Sequence, residues 1–61
     1  MKIKQSDVGR WVLVDWSDVG RQEAILVEYD PPRVYTPYEE GTTSIDDLDQ
    51  IVELGPFIQR H

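Results

Sequence analysis

Apolar positions in this chain fall into short runs, separated by polar stretches that carry Gly, Pro, Asp and Ser. The first full run, Trp11-Val12-Leu13-Val14-Asp15-Trp16, is β-branched and aromatic, which favours a strand over a helix. Successive side chains of a strand point to opposite faces, so Val12, Val14 and Trp16 share one face and Trp11, Leu13 and Asp15 the other. The first set is expected in the core. The second leaves Trp11 and Leu13 in need of cover. Ahead of this run Met1 to Asp7 is polar, although Lys2-Ile3-Lys4 is able to pair as a short edge strand.

Ser17-Asp18-Val19-Gly20-Arg21 reads as a hairpin loop, with Gly available where a positive φ is required. Glu23 to Tyr29 gives a second strand centred on Ala24-Ile25-Leu26-Val27, apolar on both faces, so periodicity does not choose the inward one. Asp30-Pro31-Pro32 stops it, because proline cannot donate to a sheet ladder. Arg33 to Tyr38 predicts a third strand, with Pro37 implying an edge or a bulge. Glu40-Gly41-Thr42 is the next turn, and Thr43 to Ile45 returns as a short fourth strand.

The segment from Ser44 to Gly55 admits two readings. Apolar residues at Ile45, Leu48, Ile51 and Val52 have helical spacing, with Ser44 as N-cap, acids in the first turn and Gly55 as a stop. Alternatively Asp46 to Asp49 forms one 3₁₀ turn and Ile51-Val52-Glu53-Leu54 a fifth strand. The wider pattern, short strands with turns every several residues, favours the second reading and an all-β fold. The expectation is a small barrel of four to five strands with a short 3₁₀ or helical turn near the C-terminus. It forms a single domain over residues 1–61, with the barrel at about 8–54 and a tail at 55–61.

A chain of 61 residues buries only roughly 60% of the surface its unfolded form exposes, so its core is small. It contains no cysteine, which removes disulfides and thiolate metal sites and fits a reducing compartment. Its one histidine, His61, reads as a frayed terminal residue rather than a ligand. No apolar run approaches the ~20 residues of a membrane span, and no signal-peptide core is evident, so the expected location is cytoplasmic, or nuclear in a eukaryote. Twelve acids against six bases give a net charge of −6. Lys2, Lys4, Arg10, Arg21, Arg33 and Arg60 are scattered, so direct nucleic-acid binding and an anionic membrane are disfavoured. The acidic balance points to a basic partner or simply to solubility.

No set of residues reads as catalytic: there is no Cys, no internal His, no Gly-rich phosphate loop, and Ser6, Ser17 and Ser44 lack a base. No enzyme, cofactor or metal is expected. The acidic run Asp46, Asp47, Asp49 and Glu53 lacks the alternating ligands and central Gly of a Ca²⁺ loop. It is either a solvated face or a dock for a basic partner. The segment Val34-Tyr35-Thr36-Pro37-Tyr38-Glu39-Glu40-Gly41 sets two tyrosines beside two carboxylates. Flat rings with a negative face and full negative charge together suit a soft cation such as a methylated ammonium or a guanidinium. Tyr and Trp also serve simply as core residues in a barrel this small.

These residues resemble the Tudor domains within the SH3-like barrels, most nearly the survival-motor-neuron type. The family's first strand opens Val-Gly and ends in Trp before an acidic hairpin loop with Gly, here Val8-Gly9, Trp16 and Ser17-Asp18-Val19-Gly20. Its second strand centres on Ala and aliphatics, here Ala24-Ile25-Leu26-Val27. Its third carries Val-Tyr-Thr-x-Tyr, here Val34-Tyr35-Thr36-Pro37-Tyr38, and its last portion is a turn and strand, here Asp47-Leu48 and Ile51-Val52. The resemblance implies an aromatic cage for methylated arginine or lysine. Trp16, Tyr35 and Tyr38 would be its walls, and Glu40 would stand at a polar position that contacts a guanidinium. Gln22 stands where the family has a further aromatic, and Pro37 where a smaller residue is common.

Two functional classes follow. In the first, the chain is a non-catalytic interaction module that docks a cationic peptide or basic protein on Trp16, Tyr35 and Tyr38, with Asp18, Glu39 and Glu40 as counter-charges. In the second, it is a small acidic regulator or inhibitor, phage- or plasmid-borne, that blocks a basic surface of a larger protein, or else a structural subunit of an assembly. Trp11, Leu13, Phe57 and Ile58 form the corresponding second apolar set. Gly55-Pro56 can turn the tail back so that Phe57 and Ile58 cover Trp11, or the set is an interface for a partner or for self-association.

Overall fold

The computed structural model describes residues 2–58; Arg60 and His61 lie outside them. Five strands follow in order: β1 (Arg10–Trp16), β2 (Gly20–Tyr29), β3 (Pro32–Tyr35), β4 (Thr42–Ser44) and β5 (Ile51–Phe57). They form one antiparallel sheet in the order β4-β3-β2-β1-β5. The first four make a meander, and β5 returns to pair with the free edge of β1. The expected class, a small all-β barrel-like fold of four to five strands with a 3₁₀ turn, is the one observed. Among the described residues no helix is long and apolar enough to cross a membrane.

Strand alternation decides the core. Val12 and Val14 of β1 point inward with Ala24 and Leu26 of β2, Val34 of β3 and Ile51 of β5, and Ile3 and Ile45 fill the ends. Val8, Trp16, Tyr29, Leu48 and Leu54 pack against this cluster. The register of β1 against β2, Val12 opposite Ala24 and Val14 opposite Gln22, settles the ambiguous second strand: Ala24 and Leu26 face in, and Ile25 faces out. Gly20 (φ +83°) and Gly41 (φ +74°) supply the left-handed backbone that closes the β1–β2 hairpin and the β3–β4 turn.

Several boundaries differ from those read in the sequence. Lys2-Ile3-Lys4 is not a strand. Ile3 is buried as a plug, and the chain passes straight into a 3₁₀ turn at Gln5–Asp7. The third strand ends at Tyr35, and Pro37 and Tyr38 lie in the turn that follows, where Pro37 has no ladder bond to offer. Ser44 belongs to β4 rather than capping a helix. The helical spacing of Ile45 to Val52 yields a single 3₁₀ turn, Leu48–Gln50, because the residues on either side are committed to sheet pairing. That turn is capped reciprocally at its N-terminal side: Asp47 Oδ1 accepts from the Asp49 N–H (2.9 Å), and Gln50 Oε1 accepts from the N–H groups of Asp46 and Asp47 (2.9 and 3.2 Å). The last strand does not stop at Leu54. It continues through Gly55 and Pro56 to Phe57, which pairs with Arg10, and the Ile58 N–H donates to Gly9 O at 2.9 Å.

The first 3₁₀ turn is tied to β5 through Arg10. Its Nε donates to Gly55 O (2.8 Å), its Nη1 donates to Asp7 Oδ1 (3.2 Å), and its guanidinium carbon lies 5.1 Å from the centroid of the Phe57 ring. Asp7 Oδ2 in turn accepts from the Lys4 N–H at 2.9 Å. That backbone hydrogen bond, followed by the Arg10 guanidinium, holds the Asp7 carboxyl below its ordinary value of 3.8 against the opposing effect of burial.

Two outcomes test this account. Leu26 is fully buried, so Leu26→Ala is expected to cost about 2–5 kcal/mol in denaturant unfolding. That is much of the total stability of a chain this size. Because the folded pKa of Asp7 is lowered, its contribution is complete above the ordinary carboxylate range and is lost as pH falls through the folded value. Asp7→Asn should therefore be less stable than the parent at neutral pH, and the gap should close on acidification below about pH 4, measured by thermal unfolding across pH.

Candidate functional site

One end of the sheet is built from the β1–β2 hairpin and the β3–β4 turn. Trp16 ends β1 on the inner face, Gln22 stands two residues into β2 from the loop, and Thr36 follows β3 with its side chain buried. Together with Asp18, Val19, Glu39 and Thr43 they line a concavity of about 240 Å³. The sequence places the two acids in flanking loops. The fold brings them to the same opening because β1 and β3 both run towards this end of the sheet.

The acids are not equivalent. Glu39 is held by a hydrogen bond that Thr43 Oγ1 donates to its Oε2 at 3.1 Å, and the Glu39 N–H reaches Thr36 O at 3.5 Å. Asp18 sits exposed in the hairpin loop, and no side-chain partner binds it among the described residues. The turn that carries Glu39 is steadied by Arg33. Its Nε and Nη2 donate to Thr42 Oγ1 (3.0 and 2.8 Å), and its Nη1 donates to Ser44 Oγ (2.9 Å), stapling the short strand β4 to β3. Trp16 contributes its ring to the wall. Its Nε1 is buried and has no acceptor among the described residues.

Of the six residues expected at the site, Trp16, Asp18 and Glu39 meet in this concavity. Tyr35, Tyr38 and Glu40 do not line it, so the three-ring cage expected from the sequence is not assembled. The reason is the period-two geometry of β3. Val34 and Thr36 are buried, so Tyr35 between them projects from the opposite face and is 43% exposed. It lies across from Ile25 on one side and Thr42 on the other. Tyr38 rides on the turn beyond the strand and is 66% exposed, and Glu40 follows in the same turn. Val34-Tyr35-Thr36-Pro37-Tyr38 is not one continuous strand, because the ladder stops at Tyr35. The wall residues that went unnoticed, Thr36 and Thr43, carry no sequence signal beyond their inward parity. Gln22, noted only as a departure from an aromatic pattern, does line the concavity.

The second apolar set divides likewise. Trp11 and Leu13 are half-buried on the outer face of β1. The chain does turn back along β1, but Phe57 settles on Gly9 and the Arg10 guanidinium and stays 53% exposed. Gly55 lies against Trp11, close to its Cβ and its backbone carbonyl.

The chain is thus a small all-β, barrel-like domain with an acidic, one-tryptophan concavity at one end. No protein-family model, curated protein or solved structure matches it.

The unpartnered indole N–H gives a test. An orphaned buried donor costs about 1–3 kcal/mol, which offsets the apolar area lost on trimming the ring. Trp16→Phe is therefore expected to stay within about 1 kcal/mol of the parent in denaturant unfolding, in contrast to a trimmed core leucine.

Proposed function

We propose that this chain is a non-catalytic interaction module, Tudor-like in its use of one end of a small barrel, that takes a cationic side chain of a basic peptide or protein. The observation that carries the reading is the meeting of Trp16, Asp18 and Glu39 in one concavity. An aromatic wall favours a cation by its quadrupole, and two carboxylates supply the counter-charge. The Thr43 hydroxyl fixes one of those carboxylates before any ligand arrives, which lowers the ordering cost of binding. A net charge of −6 draws such a partner in and repels nucleic acid.

The geometry supports recognition of charge rather than of methylation. A methyl-ammonium or dimethyl-guanidinium cage needs several ring faces around the cation, and here one ring meets Gln22, Thr36 and Thr43. Tyr35, on the opposite face, has no part in it.

The test is a titration of the full chain with arginine- and lysine-rich peptides, methylated and not, followed at the Trp16 indole N–H by NMR. Asp18→Asn combined with Glu39→Gln should weaken the response roughly tenfold, as the loss of two charge contacts requires. Tyr35→Ala should leave it within about twofold, and methylation should change it by no more than about threefold. An unmoved Trp16 signal at millimolar peptide, or one abolished by Tyr35→Ala, would refute the reading.

A further inference from the structure

The outer face of the sheet carries a second surface with its own chemistry. Cross-strand pairing sets Glu23 of β2 and Glu53 of β5 directly opposite Leu13 of β1, one on each side. Paired residues on one face have Cβ atoms about 4.5–5.5 Å apart, so the two carboxylates straddle the leucine. One residue pair further along the same face, Trp11 lies opposite Ile25, and Ile25 lies opposite Tyr35. The result is an apolar row, Trp11, Ile25 and Tyr35, beside a second row in which two acids flank Leu13.

Between β1 and β5 this face is hollowed. Trp11, Leu13, Glu23, Glu53, Gly55 and Pro56 line a groove of about 460 Å³. Gly55 makes the hollow possible. A Cβ built there would lie 3.2 Å from Trp11 Cβ and 3.3 Å from Trp11 O, so a larger residue would force the two strands apart by a few tenths of an ångström at this point. The bulge in β5 between its pairings with Val12 and Arg10 sits at the same place. No side-chain hydrogen bond or ion pair engages the carboxylate of Glu23 or Glu53 among the described residues, where the one ion pair joins Arg10 and Asp7.

We propose that this groove is a docking site for an arginine side chain on the surface of a basic partner, separate from the Trp16 concavity. The methylene stem lies on Leu13 and the indole of Trp11, and the guanidinium reaches between Glu23 and Glu53. Arginine suits the site better than lysine. Its planar, weakly hydrated cation stacks on an aromatic face, and its fork of donors serves two carboxylates at once. The charges select this occupant over a second copy of the chain, which would bring another −6 against two acids. They select it equally over an acidic or purely apolar segment, either of which would leave the carboxylates facing a surface with nothing to offer them. The chain's own last strand is excluded as the occupant: β5 forms the groove wall at Glu53 and Gly55 and runs on to Phe57 opposite Arg10.

The experiment uses the full ¹⁵N-labelled chain and a blocked valine–arginine–valine tripeptide, with the lysine analogue as comparison. The expected result is a shift of the Trp11 indole N–H and of the Leu13, Glu53 and Gly55 amides. Glu23→Gln combined with Glu53→Gln should weaken it roughly tenfold, and the Asp18→Asn/Glu39→Gln variant should leave it unchanged. Both glutamates are exposed, so the variants keep the fold, which the dispersion of the same spectra verifies. Shifts confined to Trp16, Gln22 and Thr36 overturn the inference while leaving the concavity reading intact. Shifts at Trp11 that ignore the glutamine substitutions overturn it as well. So do concentration-dependent shifts of Trp11 and Leu13 in the protein alone with a doubled mass in sedimentation, since the groove would then be covered by a second copy.

Discussion

The structure depends on β1 being hydrogen-bonded along both edges. β2 takes one side from Trp11 to Trp16, and β5 takes the other from Arg10 to Val14. A strand held on both edges cannot rotate about its own axis, so its alternation is fixed. Val12 and Val14 go to the core, and the two tryptophans, an odd number of residues apart, go to opposite faces. One register thus sets the core and separates the two aromatic surfaces. A slip of a single residue would turn Val12 and Val14 to the outer face and carry Trp11, Leu13 and Asp15 into the core, where the Asp15 carboxylate would have a heavy desolvation cost.

Positive charge is used differently from negative charge in this chain. Arg10 is drawn inside the architecture, bonded to Asp7 and Gly55 and lying against Phe57, and Arg33 is bonded across to Thr42 and Ser44. Both hold strands in place. The acids are treated otherwise: Asp7 has a structural partner, whereas Asp18, Glu23 and Glu53 stand exposed beside the two concavities. The surplus of acids over bases is therefore concentrated on surfaces rather than neutralised in place. A basic partner would complete it.

How much of this could be read from residues alone depends on how local the cause is. Alternation in Trp11 to Trp16 is a property of six residues, and it gave the inward and outward sets correctly. The loops at Ser17 to Gly20 and at Gly41 announced themselves through glycine. The turn-plus-strand reading of Asp46 to Leu54 held because neighbouring strands, not local spacing, decide that segment. What failed was non-local. Nothing in Gly55-Pro56-Phe57 shows that β1 has a free edge waiting for it, so local residues end the strand at Leu54 while pairing carries it to Phe57. The tyrosines are near in sequence, but Tyr35 belongs to a strand and Tyr38 to the turn after it, and a strand sends adjacent side chains to opposite faces. Asp18 and Glu39 were foreseeable as acids, and the concavity that unites them with Trp16 required the fold.

The pairing of the first strand with the last also shapes how the molecule comes to exist. Arg10 and Phe57 lie 47 positions apart, so closing that seam demands a large loss of chain freedom before any contact repays it, whereas the β1–β2 hairpin closes over a few residues. A chain whose meander has formed before β5 docks has one flank of β1 unpaired and its outer indole without the backbone of Gly55 beside it. In that state it presents a bare β-edge of the kind that recruits foreign strands. Pro56, which offers no N–H of its own, stands in the strand that finally covers it.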